Sequence, residues 1–145
     1  MGGRGASSGR KSGGISYDKE LNTHDHKVEI SMAYWLHANF GGNIQVLQEI
    51  NADKQKTSDY LWNGKYWDLK TISSEKAADY AIRHGVKQIK EKPGGLILDY
   101  VGETLDKSKL MKIMDSRVRR HPENHIRIIV VRRGKLIIDK EYKKR

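Results

Sequence analysis

The chain has 145 residues, enough for one domain with a modest core. It is 37% hydrophobic and 32% charged, and no stretch approaches the ~20 consecutive apolar residues of a membrane-spanning helix. The absence of cysteine excludes disulfide scaffolds, thiol catalysis and Cys-ligated zinc. The net charge of +10 sits at the two ends: residues 1–16 carry +3, residues 116–145 carry +8, and the middle is nearly neutral. Such a footprint points to an anionic partner, nucleic acid before acidic protein or membrane surface.

In chain order, residues 1–16 are rich in Gly, Ser and Arg and read as a flexible linker, with no apolar core of a secretory signal. The globular domain is expected over 17–145. Thr23 can cap a first helix whose apolar stripe is Val28, Met32, Trp35, Leu36 and Phe40, closed by Gly41 and Gly42. A strand is expected from Asn43 to Ile50, then a polar loop to Ser58.

The strongest local signal follows. Asn63 and Gly64 lie between two aromatic-rich runs, Asp59 to Trp62 and Lys65 to Lys70, which is the preferred composition of a type I′ hairpin. A second helix opens at Ser73 or Ser74, carries Ala78, Ala81, Ile82, Val86 and Ile89 inward, and stops at Pro93 to Gly95, with Gly85 as its weak point. Leu96 to Val101 reads as a buried strand and Asp106 to Arg120 as a third helix. His125 to Val131 and Lys135 to Glu141 form a closing hairpin around Arg133 and Gly134. The order α-β-β-β-α-β-α-β-β implies an α+β domain with helices packed on a central, largely antiparallel sheet.

The hairpin also carries chemistry. A two-residue turn places Tyr60 opposite Trp67 and Asp59 opposite Asp68, so two carboxylates become direct cross-strand partners. That repulsion must be offset by Lys70, by a shared proton or by a divalent cation. Thr71 and Ser73 then lead into a helix N-terminus suited to an anion, so this neighbourhood could cradle a phosphodiester. Alternatively, Asp and Lys could simply keep an edge hairpin soluble. His84, beside Arg83 and Lys87, could serve as acid or base, or lie on a plain helix surface. Arg117, Arg119 and Arg120, with Arg127, Arg132 and Arg133, are the natural contacts for an RNA backbone.

Glu29, Ala33, Leu36, Gly41 and Gly42, followed by Asp59-Tyr60, Asn63-Gly64, Trp67-Asp68-Leu69-Lys70, Gln88 and Leu96 to Asp99, resemble the tRNase domain at the C-terminus of CdiA contact-dependent inhibition toxins. The resemblance spans about residues 24–140, and related domains also end phage-derived head proteins. It implies a colicin D-like fold of the barnase, EndoU, colicin and RelE group. It also implies metal-independent cleavage of tRNA in the bacterial cytoplasm, without cofactor, and an acidic immunity protein as partner. Taken together with the residue readings above, the candidate catalytic residues are Glu29, Asp59, Asp68, Lys70, Thr71, Ser73 and His84. The candidates for RNA binding are Trp67, Arg83, Lys87, Gln88, Arg117, Arg119 and Arg120. The chain departs from the family in carrying Asp68 in place of Glu and in placing Gly85 before Val86-Lys87-Gln88.

A second resemblance uses the same residues. An acid in helix 1, Asp59, and Asp68-x-Lys70 are similar to the PD-(D/E)xK nucleases, whose core runs α-β-β-β-α-β. It implies Mg²⁺ held by Asp59 and Asp68, assisted by Glu29, with Lys70 on the attacked phosphate. A non-catalytic nucleic-acid-binding module is the third reading; it requires the charge but not the opposed acids.

Overall fold

The computed structural model describes residues 12–48, 58–121 and 125–143. Most of the expected linker, the loop and the strand end expected at 49–57, and the two last basic residues lie outside the described residues. Seven strands form one sheet in chain order. They are β1 (Ile15–Tyr17), β2 (Ile44–Val46), β3 (Tyr60–Trp62), β4 (Lys65–Ile72), β5 (Pro93–Tyr100), β6 (Ile126–Arg132) and β7 (Lys135–Tyr142). The helices are α1 (Lys27–Phe40), α2 (Ala77–Gln88) and α3 (Lys107–Val118).

The α+β class holds, but the sheet is mixed. β1/β2, β4/β5 and β5/β6 pair parallel, and β2/β3, β3/β4 and β6/β7 antiparallel. The physical reason is the connections: α2 joins β4 to β5 and α3 joins β5 to β6, and a helical crossover returns the chain in the same direction. The helices cover both faces. Ile72, Leu96, Leu98 and Ile128 pack under α2 and α3, whereas Tyr60, Trp62, Trp67, Ile97 and Ile129 pack under α1.

Several local expectations are corrected. Ile15 to Tyr17 form β1, a strand not expected ahead of α1. Asn22, and not Thr23, organises the entry to α1, because its Oδ1 accepts from the N–H groups of His24 (3.0 Å) and Asp25 (3.2 Å). The helix therefore starts at Lys27, and Val28 is 56% exposed, outside the buried set of Met32, Ala33 and Leu36. Pro93 to Gly95 do not just stop α2 but begin β5, since a Cβ on Gly95 would overlap the Arg127 carbonyl oxygen. Gly85 lets α2 approach the sheet, as a Cβ there would stand 2.6 Å from Leu96 Cδ2.

Candidate active site

The β3–β4 hairpin sets the site. Asn63 and Gly64 both take positive φ, 50° and 80°, as a type I′ turn requires. This turn fixes the pairs Trp62 with Lys65, Leu61 with Tyr66, and Tyr60 with Trp67. Beyond β3 the ladder pairing ends: the Asp59 N–H donates to the carbonyl of Trp67, the residue that already pairs with Tyr60, at 3.1 Å, and the Asp59 carboxylate accepts from the Leu69 N–H at 2.7 Å. Asp59 and Asp68 lie close together and line one cavity, but they are not ladder partners.

Asp68 is 3% exposed. Its Oδ2 lies 3.1 Å from Lys70 Nζ, yet that buried oxygen accepts no hydrogen bond. Burial raises the Asp59 pKa to about 8, and the neighbouring Asp68 charge contributes to that rise. Near neutral pH the pair therefore holds a proton unless a cation replaces it.

Tyr60, from the opposite face of β3, donates through its hydroxyl to the Glu29 backbone carbonyl at 2.6 Å and so fastens α1 to the hairpin. Glu29, Asp59, Asp68, Lys70 and Gln88 consequently line one polar cavity of about 360 Å³, with Asp25 and His26 at its edge. Gln88 reaches it from the last turn of α2, and its Oε1 is buried with no hydrogen bond. Lys70 and Gln88 also line an adjoining cavity of about 470 Å³ with Thr71, Tyr80 and His84. The rings of Tyr80 and His84 lie 4.0 Å apart, and the Arg83 guanidinium sits 5.4 Å from the centre of the Tyr80 ring. Lys87 is exposed on the same helix.

Other expected residues fall elsewhere. Trp67 is buried at 6% exposure against Trp62, ring centres 4.8 Å apart, so it is a core side chain and not an RNA platform. Ser73 is exposed and lines neither cavity. The first N–H of α2, that of Ala77, is taken by Ser74 Oγ at 3.3 Å, so the expected anion cradle at this helix start is already partly satisfied. Arg117 makes a bidentate pair with Asp79 at 2.8 and 2.9 Å, which ties α3 to α2 and corrects its role as a free cation. Arg127 is likewise bidentate to Asp139 at 2.7 Å, and Arg132 donates to the carbonyls of Gly102 and Glu103 at 3.1 and 2.5 Å. Arg119 and Arg120 are exposed beyond α3. Tyr60 as a positioning residue is beyond the reach of sequence reasoning, because nothing in a sequence says which carbonyl a buried hydroxyl meets. Among the described residues, no group of three or more His, Asp or Glu side chains is placed to hold a metal ion.

No protein-family model matches the chain, and neither does any curated protein. The fold is similar to that in the CdiA-CT/CdiI toxin and immunity complex from Burkholderia pseudomallei, with a TM-score of 0.53 over 90% of this chain and 99% of that one. At 16% identity the likeness is one of fold: the chain has the α+β architecture of a CdiA toxin.

Proposed function

We propose that this chain is a toxin-type nuclease domain that cuts RNA, with tRNA as substrate, at the Asp59–Asp68–Lys70 site and with the help of a divalent cation. The observation that carries the reading is the convergence of Glu29, Asp59, Asp68, Lys70 and Gln88 on one cavity. The order from α1 through β2, β3, β4 and α2 to β5 also supports the resemblance to PD-(D/E)xK nucleases.

The donor set suits Mg²⁺. Two neighbouring carboxylates, one with a buried oxygen met only by the Lys70 ammonium, match an ion that takes one or two protein carboxylates and completes its shell with water and phosphate oxygens. When bound, such an ion supplies charge stabilisation at the attacked phosphate and a more acidic water. Asp59 and Asp68 would hold it. Lys70 places a positive charge where the pentacoordinate phosphate becomes more negative, and the Gln88 side chain fixes a phosphate oxygen or the attacking water. Glu29 orients that water from the α1 side. Arg83 and Lys87 carry the flanking RNA backbone along α2.

A metal-independent reading draws on a different observation, the position of His84 in the cavity that shares Lys70 and Thr71. There a histidine would take the 2′-OH proton and leave a 2′,3′-cyclic phosphate. Incubating the domain with total tRNA, with and without EDTA, and analysing the new ends separates the two. EDTA inhibition with 5′-phosphate ends is expected; EDTA-resistant cleavage with cyclic phosphate ends would move the chemistry to His84.

As a toxin of this type the domain would act in the cytoplasm of a target cell after delivery by a larger secreted or phage-related protein. An acidic immunity protein would cover its basic surface. Among the described residues, no helix is long and apolar enough to cross a membrane.

A further inference from the structure

A cavity of about 530 Å³ opens on the α1 side of the sheet, at the carboxyl ends of β5 and β6. Met32, Trp35 and Val131 form its apolar walls, and Asp99 lies among them with Lys27 and Arg133. Asp99 is half-buried, and among the described residues no hydrogen bond or ion pair holds its carboxylate. Its pKa is raised by burial alone. Its oxygens are open to the cavity, where a ligand carrying N–H groups would meet them with charge-assisted hydrogen bonds.

The cavity neighbours the proposed active site. Asp99 pairs with Thr71 in the parallel β4/β5 ladder and points to the α1 face, opposite to Lys70 and Leu98; the two cavities approach each other at the start of α1, where Lys27 and Val28 line one and His26 and Glu29 the other. Lys27 and Arg133 disfavour a cationic guest and suit phosphates, whereas the walls suit a flat apolar face.

We propose that this cavity binds the base of a nucleotide flanking the cut and that Asp99 selects guanine. Guanine alone among the four bases offers two parallel donors, N1–H and the 2-amino group, which a carboxylate accepts in bidentate fashion. Adenine and cytosine offer one amino group beside a ring acceptor, and uracil one N–H between two carbonyls. The inference rests on the nuclease reading for its biological meaning but not for its test.

The probes are the four nucleoside monophosphates, titrated into the whole chain in metal-free buffer. The readout is the indole N–H resonance of Trp35, which donates to the Gly134 carbonyl at the cavity wall at 2.9 Å. Guanosine monophosphate should bind at least tenfold tighter than the other three. Asp99→Asn should level the four affinities, and Ser31→Trp, at an exposed position lining the cavity, should block all of them. Sequencing of cut ends should show the base preference of the wild type relaxed in Asp99→Asn. Equal affinities in the wild type, or an unchanged preference in Asp99→Asn, overturn the proposal. So does a response to argininamide in place of guanosine monophosphate, which would assign the cavity to a basic side chain of a protein partner. Selective guanine binding without any RNA cleavage would sustain the base site and remove the nuclease reading.

Discussion

Lys70 Nζ lies 3.1 Å from Asp68 Oδ2, two residues along β4, and it offsets a carboxylate that is 3% exposed and shares its cavity with Asp59. The same cation would face the phosphate, so one side chain serves folding and chemistry together. Lys70→Ala should lower kcat by about 10²–10³-fold, the usual loss for one charge-stabilising donor. It should also lower the melting temperature, because Asp68 is left without its counter-charge. Lys70→Arg should restore the melting temperature more than the rate. Steady-state cleavage and thermal melts of the three proteins check this; full activity in folded Lys70→Ala would remove the site.

The second prediction concerns pH. The Asp59 pKa of about 8 lies above its ordinary value near 3.8. The folded state therefore holds a proton that the unfolded state releases, and this contribution to stability is full below about pH 4 and is lost as pH rises towards 8. In EDTA the melting temperature should fall across that window, and Asp59→Asn should flatten the fall. Added Mg²⁺ should raise the wild-type melting temperature more at pH 8.5 than at pH 6, because the proton competes with the cation. No Mg²⁺ effect at either pH in the wild type would speak against a metal at this pair.

Tyr60→Phe removes one hydrogen bond, the 2.6 Å contact to the Glu29 carbonyl. The loss should be about 1 kcal/mol by chemical denaturation. Activity should fall by more than that stability change predicts, through α1 and Glu29 shifting, although Tyr60 is buried and would not touch substrate. Unchanged kcat with reduced stability would restrict Tyr60 to a structural role.

Basic side chains should divide into two classes. Neutralising Arg83 and Lys87 together should make the salt dependence of RNA binding shallower, by about 0.7–0.9 in log–log slope for each phosphate no longer neutralised, since every such phosphate releases counterions when paired. Arg117→Ala should leave that slope unchanged and destabilise the fold instead, because its guanidinium is occupied by Asp79. RNA affinity across a salt series, with a denaturation curve for each variant, tests the division.

Gly95→Ala should be among the most damaging small substitutions. The new methyl would overlap a backbone oxygen of β6 and stand 2.7 Å from the Trp67 ring, and a backbone in mid-sheet cannot give way cheaply. A loss of about 3 kcal/mol or more is expected, visible as reduced expression and a lowered melting temperature. Gly64→Ala meets nothing within 4 Å and should cost only the strain of its φ of +80°.

The hairpin was legible in the sequence because its determinants are local. Asn63-Gly64 specifies the turn, the turn specifies the register as far as Tyr60 and Trp67, and the residues next along the two strands are Asp59 and Asp68, with Lys70 two further on. The helices α2 and α3 followed from apolar spacing for the same reason. Which strands run parallel did not follow from local pattern, since a buried strand reads alike in either direction and only the crossovers α2 and α3 decide it. Nor did the accessibility of long side chains. Trp67 and Arg117 looked like ligands for RNA in one dimension, yet Trp67 is buried against Trp62 and Arg117 is spent on Asp79, partners that only packing brings to them. The chain by itself therefore determined the acid pair and its lysine. Tertiary packing decided that Glu29 and Gln88 join them and that Asp99 lines a neighbouring cavity, because contacts between elements depend on how the sheet's two faces are covered.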